Sequence, residues 1–97
     1  MVRLELMVNR TLEEDFHDRL KKREIDLHYT KLVGVQGAGA AGLRRGDPVW
    51  PEENFLLICY CEEDQAQRLK DVVEGLKRDF PNEGIAMFSM EHCNRSL

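Results

Sequence analysis

The chain has 97 residues, 42% hydrophobic and 33% charged, with a formal net charge of −4. That length gives one domain with a modest core, burying only about 60–70% of the surface its unfolded chain exposes, so association would stabilise it considerably. The mildly acidic balance argues against nonspecific binding to nucleic acid or anionic membranes, and no apolar run approaches the roughly 18 residues of a membrane span.

The N-terminal M-V-R-L-E-L-M-V-N-R places Arg3 and Glu5 where a secretory signal would be apolar, so a cytoplasmic protein is expected. Arg3 to Asn9 alternates, with Leu4, Leu6 and Val8 on one face and Glu5 and Met7 on the other. That pattern predicts a half-buried strand. T-L-E-E then fits a capping box with Thr11 as N-cap and Glu14 at N3. Leu12, Phe16 and Leu20 trace one apolar stripe of a helix that should fade near Arg23.

A second strand is expected from about Leu27 to Gln36, with Leu27, Tyr29, Val33 and Val35 on one face and Lys31 interrupting it. Phe55 to Cys61 reads F-L-L-I-C-Y-C and is apolar on both faces. Helices can cover one face, so another subunit is the simplest cover for the other. A second helix is predicted over Glu63 to Asp79, its stripe running through Ala66, Leu69, Val72, Val73, Leu76 and Phe80. Glu62, Glu63 and Asp64 suit its N-terminal dipole, and Lys77 and Arg78 its C-terminal end. P-N-E-G makes a turn at 81–84, a last strand follows over Ile85 to Met90, and residues 91–97 read as a polar, flexible tail. The order is β-α-β-β-α-β: a single α+β domain of ferredoxin-like type over 1–97, an antiparallel sheet with two helices on one face.

Gly34 to Asn54 is the segment with the most to say about function. It holds five glycines, two prolines, adjacent Arg44 and Arg45, and the only tryptophan, Trp50. No helix is expected inside it, and long loops in compact domains are usually functional. G-A-G-A-A-G at Gly37–Gly42 matches a dinucleotide fingerprint, with Glu62 about 20 residues on. That motif needs a helix to open within it, which Gly46, Pro48 and Pro51 prevent. Two readings stay open: a mobile glycine loop, or a nest of backbone N–H groups that binds an anion beside Arg44 and Arg45. Trp50 beside Pro51 anchors the loop exit or forms a binding hot spot.

Cys59, Cys61 and Cys93 are odd in number, which fits reduced thiols. C-Y-C sets two thiols on one strand face, where buried cysteine is a common small hydrophobe. Soft-metal binding would call on Cys59, Cys61, His92 and Cys93, but no C-x-x-C spacing exists. His17 reads as a solvated helix residue. No nucleophile–base pair is visible around Ser89 or Ser96, so no enzyme is expected.

Together E-L-M-V-N-R-T-L-E-E-D-F, Y-T-K at 29–31, R-G-D-P-V-W-P-E-E-N-F-L-L-I-C-Y-C and R-D-F-P-N-E-G-I-A-M-F resemble the PII signalling superfamily. The similarity extends to about Met90 and is closest to a short, transporter-associated PII-like subgroup. It implies a homotrimer with sheets facing inward and clefts between subunits. Loop 37–53 would be the T-loop, which docks on a membrane (efflux) transporter, and a small anionic ligand, such as an adenine nucleotide, would sit in the clefts. By position, Gly37, Gly39, Arg44, Arg45, Asn82, Glu83 and Gly84 would meet the ligand. Gly42, Arg44, Arg45, Asp47 and Trp50 would meet the partner. The turn before the last strand lacks the glycine- and lysine-rich phosphate motif of PII proteins, the loop has no tyrosine or serine to modify, and the C-terminal arginines reduce to Arg95. The alternative implied by the wider group is a CutA-like metal-tolerance trimer.

Overall fold

β1 (Val2–Asn9) forms where the alternation is strictest, and Leu4, Leu6 and Val8 are fully buried. The computed structural model describes residues 1–37 and 52–97, Glu52 by its backbone alone. A short 3-10 turn (Arg10–Leu12) leads into α1 (Glu13–Lys22), followed by β2 (Tyr29–Gly37), β3 (Glu52–Cys61), α2 (Glu63–Asp79) and β4 (Ile85–Met90). The sheet order is β2-β3-β1-β4 with every neighbouring pair antiparallel. This is the ferredoxin-like α+β arrangement that the element order predicts. The expectation that no helix forms between Gly37 and Glu52 lies outside the described residues.

Both helices lie on one face. Leu12, Phe16 and Leu20 bury the stripe of α1, and Leu69, Val72, Val73 and Leu76 that of α2. They close over Phe55, Leu57 and Cys59 of β3 and the inward residues of β1. Each such side chain, fully removed from water, stabilises the fold by about 1.5–3 kcal/mol, which explains why the stripes and not the charges set the docking of the helices. Arg19 fastens the helices on their outer side: its Nε donates to Asp15 Oδ1 at 2.6 Å and its Nη2 to Asp79 Oδ2 at 2.7 Å.

Three expectations of local structure are corrected. The cap before α1 is Asn9, whose Oδ1 accepts from the Thr11 N–H at 2.9 Å and from Thr11 Oγ1 at 2.8 Å; Thr11 lies inside the 3-10 turn. Leu27 is buried but precedes β2, and Tyr29 and Val35 do not share a face. Leu32 pairs with Leu56 and Val35 with Asn54, so three steps along β2 match two along β3. This bulge, with Gly34 at φ 69, flips the face of every residue after it. Tyr29 and Lys31 therefore lie on the helix side, and Leu32 and Val35 on the other. Finally, His17 is half-buried among aromatic rings, not solvated.

Among the described residues, no layer covers the second face of the sheet. Leu56 and Ile58 are half-buried at its centre, with Met7, Leu32, Tyr60, Phe88 and Met90 exposed around them. Phe88 is 54% exposed although it sits in a strand. Soluble monomers seldom display so continuous an apolar surface. No helix among the described residues is long and apolar enough to cross a membrane.

Candidate ligand-binding site

Of the residues singled out for ligand binding, Gly37 and the turn at Asn82, Glu83 and Gly84 fall at one end of the sheet. Gly37 ends β2 opposite Glu52, and Asn54 stands between Val35 on β2 and Asn9 on β1. The Asn9 N–H donates to the Gly84 carbonyl at 2.9 Å, and the Glu83 N–H donates to Phe80 O at 3.1 Å, which closes the turn before β4. A row of backbone and amide groups thus runs from Gly37 through Asn54 and Asn9 to Gly84. Gly37 and Gly84 are three strand intervals apart, about 14 Å across the sheet, and Gly37 lies two residues further along, so one chain does not bring them around a single phosphate. Gly39, Gly42, Arg44, Arg45, Asp47 and Trp50 lie outside the described residues.

Gly37 and Asn54 are fitted to each other. A Cβ at Gly37 would stand 2.6 Å from Asn54 Nδ2, so any other residue would make this carboxamide shift. Asn54 Oδ1 is buried and has no hydrogen-bond partner among the described residues. Desolvating an acceptor without a donor costs about 1–3 kcal/mol, so this end of the sheet is held at some expense.

The other end of the sheet holds a cleft of about 580 Å³, lined in part by Met1, His28, Tyr29, Thr30, Tyr60 and Arg95. Its wall on one side is the C-terminal segment. Residues 91–97 form no helix or strand, yet the Cys93 N–H donates to Met1 O at 3.0 Å and His92 takes φ 63. Next to the cleft, Arg3 lies 5.4 Å over the Tyr60 ring, hydrogen-bonds its hydroxyl and pairs with Glu5 at 2.8 Å. Sequence reasoning did not assemble this cleft. Its signals were present separately, in Y-T-K, in C-Y-C and in the lone Arg95, but nothing local says that the tail turns back toward Tyr29.

The cysteines divide in two. Cys59 and Cys61 are buried under the helices, and burial pushes the Cys59 thiol up to about 12, with Cys61 adding to the shift. The Cys61 thiol is also raised, chiefly by burial. A metal ligand must be a thiolate, and these two sites oppose it. Cys93 is partly exposed and His92 largely so. Among the described residues no three His, Cys, Asp or Glu side chains gather as a metal site.

These features define a class: an α+β domain of PII-like fold, with polar groups gathered at the two ends of its sheet. CPII, a nitrogen regulatory PII-like protein from Thiomonas intermedia whose structure holds ADP, AMP and bicarbonate, superposes with a TM-score of 0.65 at 18% identity, over 99% of this chain and 94% of that one. Its apo form gives 0.59 at 12% identity, over 92% and 87%. A candidate PII-like signalling protein from Thermus thermophilus gives 0.60 at 19% identity, over 92% and 83%. At these identities the likeness is one of fold. No protein-family model matches the chain, and no curated protein does.

Proposed function

We propose that this chain is a PII-like signalling protein that forms a homotrimer, binds a small anionic effector of adenine-nucleotide type between subunits, and regulates a membrane (efflux) transporter through loop 37–53. The observation that carries this reading is the fold shared over 99% of the chain with a protein whose structure holds ADP, AMP and bicarbonate. It is a regulator, not an enzyme, acts in the cytoplasm and takes no nucleic acid.

Two features of the chain support it. The half-sites lie at opposite ends of β2 and β3, and a cyclic head-to-tail assembly joins unlike patches of successive copies. Such a ring sets Gly37, Asn82, Glu83 and Gly84 of one copy toward the cleft of the next. There Tyr29 and Tyr60 offer ring faces and Arg95 a fixed positive charge. The ring also buries the apolar face around Leu56 and Ile58. In this reading Gly39, Arg44 and Arg45 complete the ligand contacts, and Gly42, Asp47 and Trp50 join the two arginines against the transporter. The rival CutA-like metal trimer ranks second, because two of its thiols are in the core.

Native mass spectrometry with and without ADP tests the proposal. We expect a trimer that takes up one ADP per subunit and loses it when Arg95 is changed to alanine. A monomer, or a trimer indifferent to both ADP and AMP, contradicts it.

A further inference from the structure

A cluster on the helix side of the sheet, which meets the cleft only at Tyr29, joins α1 to β2. The His17 ring stacks on Phe55 with centroids 6.4 Å apart and 22° between planes, and tilts against Tyr29 at 5.9 Å. Lys31 of β2 reaches beneath the helix. Its Nζ lies 2.9 Å from Glu13 Oε1, 3.2 Å from His17 Nε2 and 5.8 Å from the centre of the Phe55 ring. An ammonium donates and never accepts, so His17 must accept on Nε2 and carry its proton on Nδ1. Lys31 is the only β2 side chain that hydrogen-bonds to a helix among the described residues.

We propose that His17, Lys31 and Glu13 form a proton-released latch that holds edge strand β2 to α1 and loosens on mild acidification. A proton on Nε2 turns the 3.2 Å contact from a hydrogen bond into two cations face to face. The facing groups divide clearly. Burial and Lys31 hold His17 below its ordinary value, while Glu13 and Asp18 pull it upward. Among the described residues, β2 also sets the Tyr29 ring and β3 the Phe55 ring against His17. Folded His17 therefore binds its proton at lower pH than the unfolded chain does. The latch is intact above about pH 6.5 and is lost as pH falls through the lowered folded value. Among the described residues β2 has only β3 as a strand neighbour; it carries Leu32 onto the face away from the helices and ends at Gly37, so its looseness reaches both.

The test is an NMR pH series from 7.5 to 5 on the full chain, reading the His17 ring nitrogens and the exchange of the Thr30, Lys31 and Leu32 amides. In wild type we expect Nδ1–H at neutral pH and a titration midpoint under 6.5. Strand exchange should quicken about fivefold beyond its intrinsic pH dependence, the factor that corresponds to about 1 kcal/mol. Lys31→Met should raise the His17 midpoint. His17→Phe keeps the ring packing and should remove the excess pH dependence. A proton on Nε2 at neutral pH, a midpoint that ignores Lys31→Met, or β2 exchange in His17→Phe that still follows wild type overturns the latch.

Discussion

Gly37→Ala probes the loop end of the sheet most directly. The added Cβ would lie 2.6 Å from Asn54 Nδ2, well inside van der Waals contact, so one of the two must move. Overpacking costs typically 1–3 kcal/mol. The clashing atom is the tip of a side chain, which favours the low end, but Asn54 Oδ1 is enclosed, which limits its escape. We therefore expect a loss of about 1 kcal/mol, or roughly 4–8 °C in Tm for a domain of this size. Asn54→Ala removes the obstacle, so the double variant should match Asn54→Ala alone. Thermal unfolding by circular dichroism at one fixed protein concentration reads all four members of the cycle, because association ties Tm to concentration. If Gly37→Ala melts with wild type, or if the two changes simply add, the carboxamide does not occupy the space the geometry gives it.

Three further outcomes follow from the packing. Glu24 ends α1 at φ 54 in a Schellman turn, with Ile25 N–H on Leu20 O at 2.9 Å and Glu24 N–H on Lys21 O at 3.0 Å. Glu24→Gly should raise stability by up to about 1 kcal/mol, and a Glu24→Val variant that melts no lower than wild type would show the strain to be absent. Gly75→Ala places a Cβ 3.4 Å from the movable Arg19 Nη1 within α2, so helix propensity should win by about 0.5–1 kcal/mol in urea unfolding; a destabilised protein would mean that the Arg19 bridge cannot shift. A soluble disulfide reagent at pH 8 should titrate Cys93 in the native protein and reach Cys59 and Cys61 only after denaturation, since burial keeps both protonated. Equal rates for all three thiols would put Cys59 and Cys61 outside the core.

Where the chain specifies structure locally, its letters were enough. The stripe from Ala66 to Leu76, with acids first and bases last, located α2 at Glu63–Asp79, and Ile85–Met90 is β4 as expected. Helical and strand periods report which side of an element is apolar, and a core must form there. The same logic saw that β3 is apolar on both faces, and the uncovered face of the sheet is the physical counterpart. Its limit is any contact between residues far apart. Asn9 outcompetes Thr11 as cap because its position at the end of β1, tied to Gly84, aims its oxygen at the turn. The period of β2 fails at Gly34 because a bulge is a property of a strand pair.

For the candidate sites the division is the same. The glycines, the N-E-G turn and Arg95 are visible as letters, and the element order by itself determined a ferredoxin-like sheet with two helices on one side. Only tertiary structure decided that Gly37 and Gly84 lie at one end of that sheet, three strand intervals apart. It likewise placed Arg95 with Tyr29 at the other end, and Lys31 against Glu13 on the helix side. The reason is that hydrophobic periodicity is encoded within each segment, whereas the meeting of polar groups depends on register and on where the chain turns back. Those are settled by the packing of the whole core.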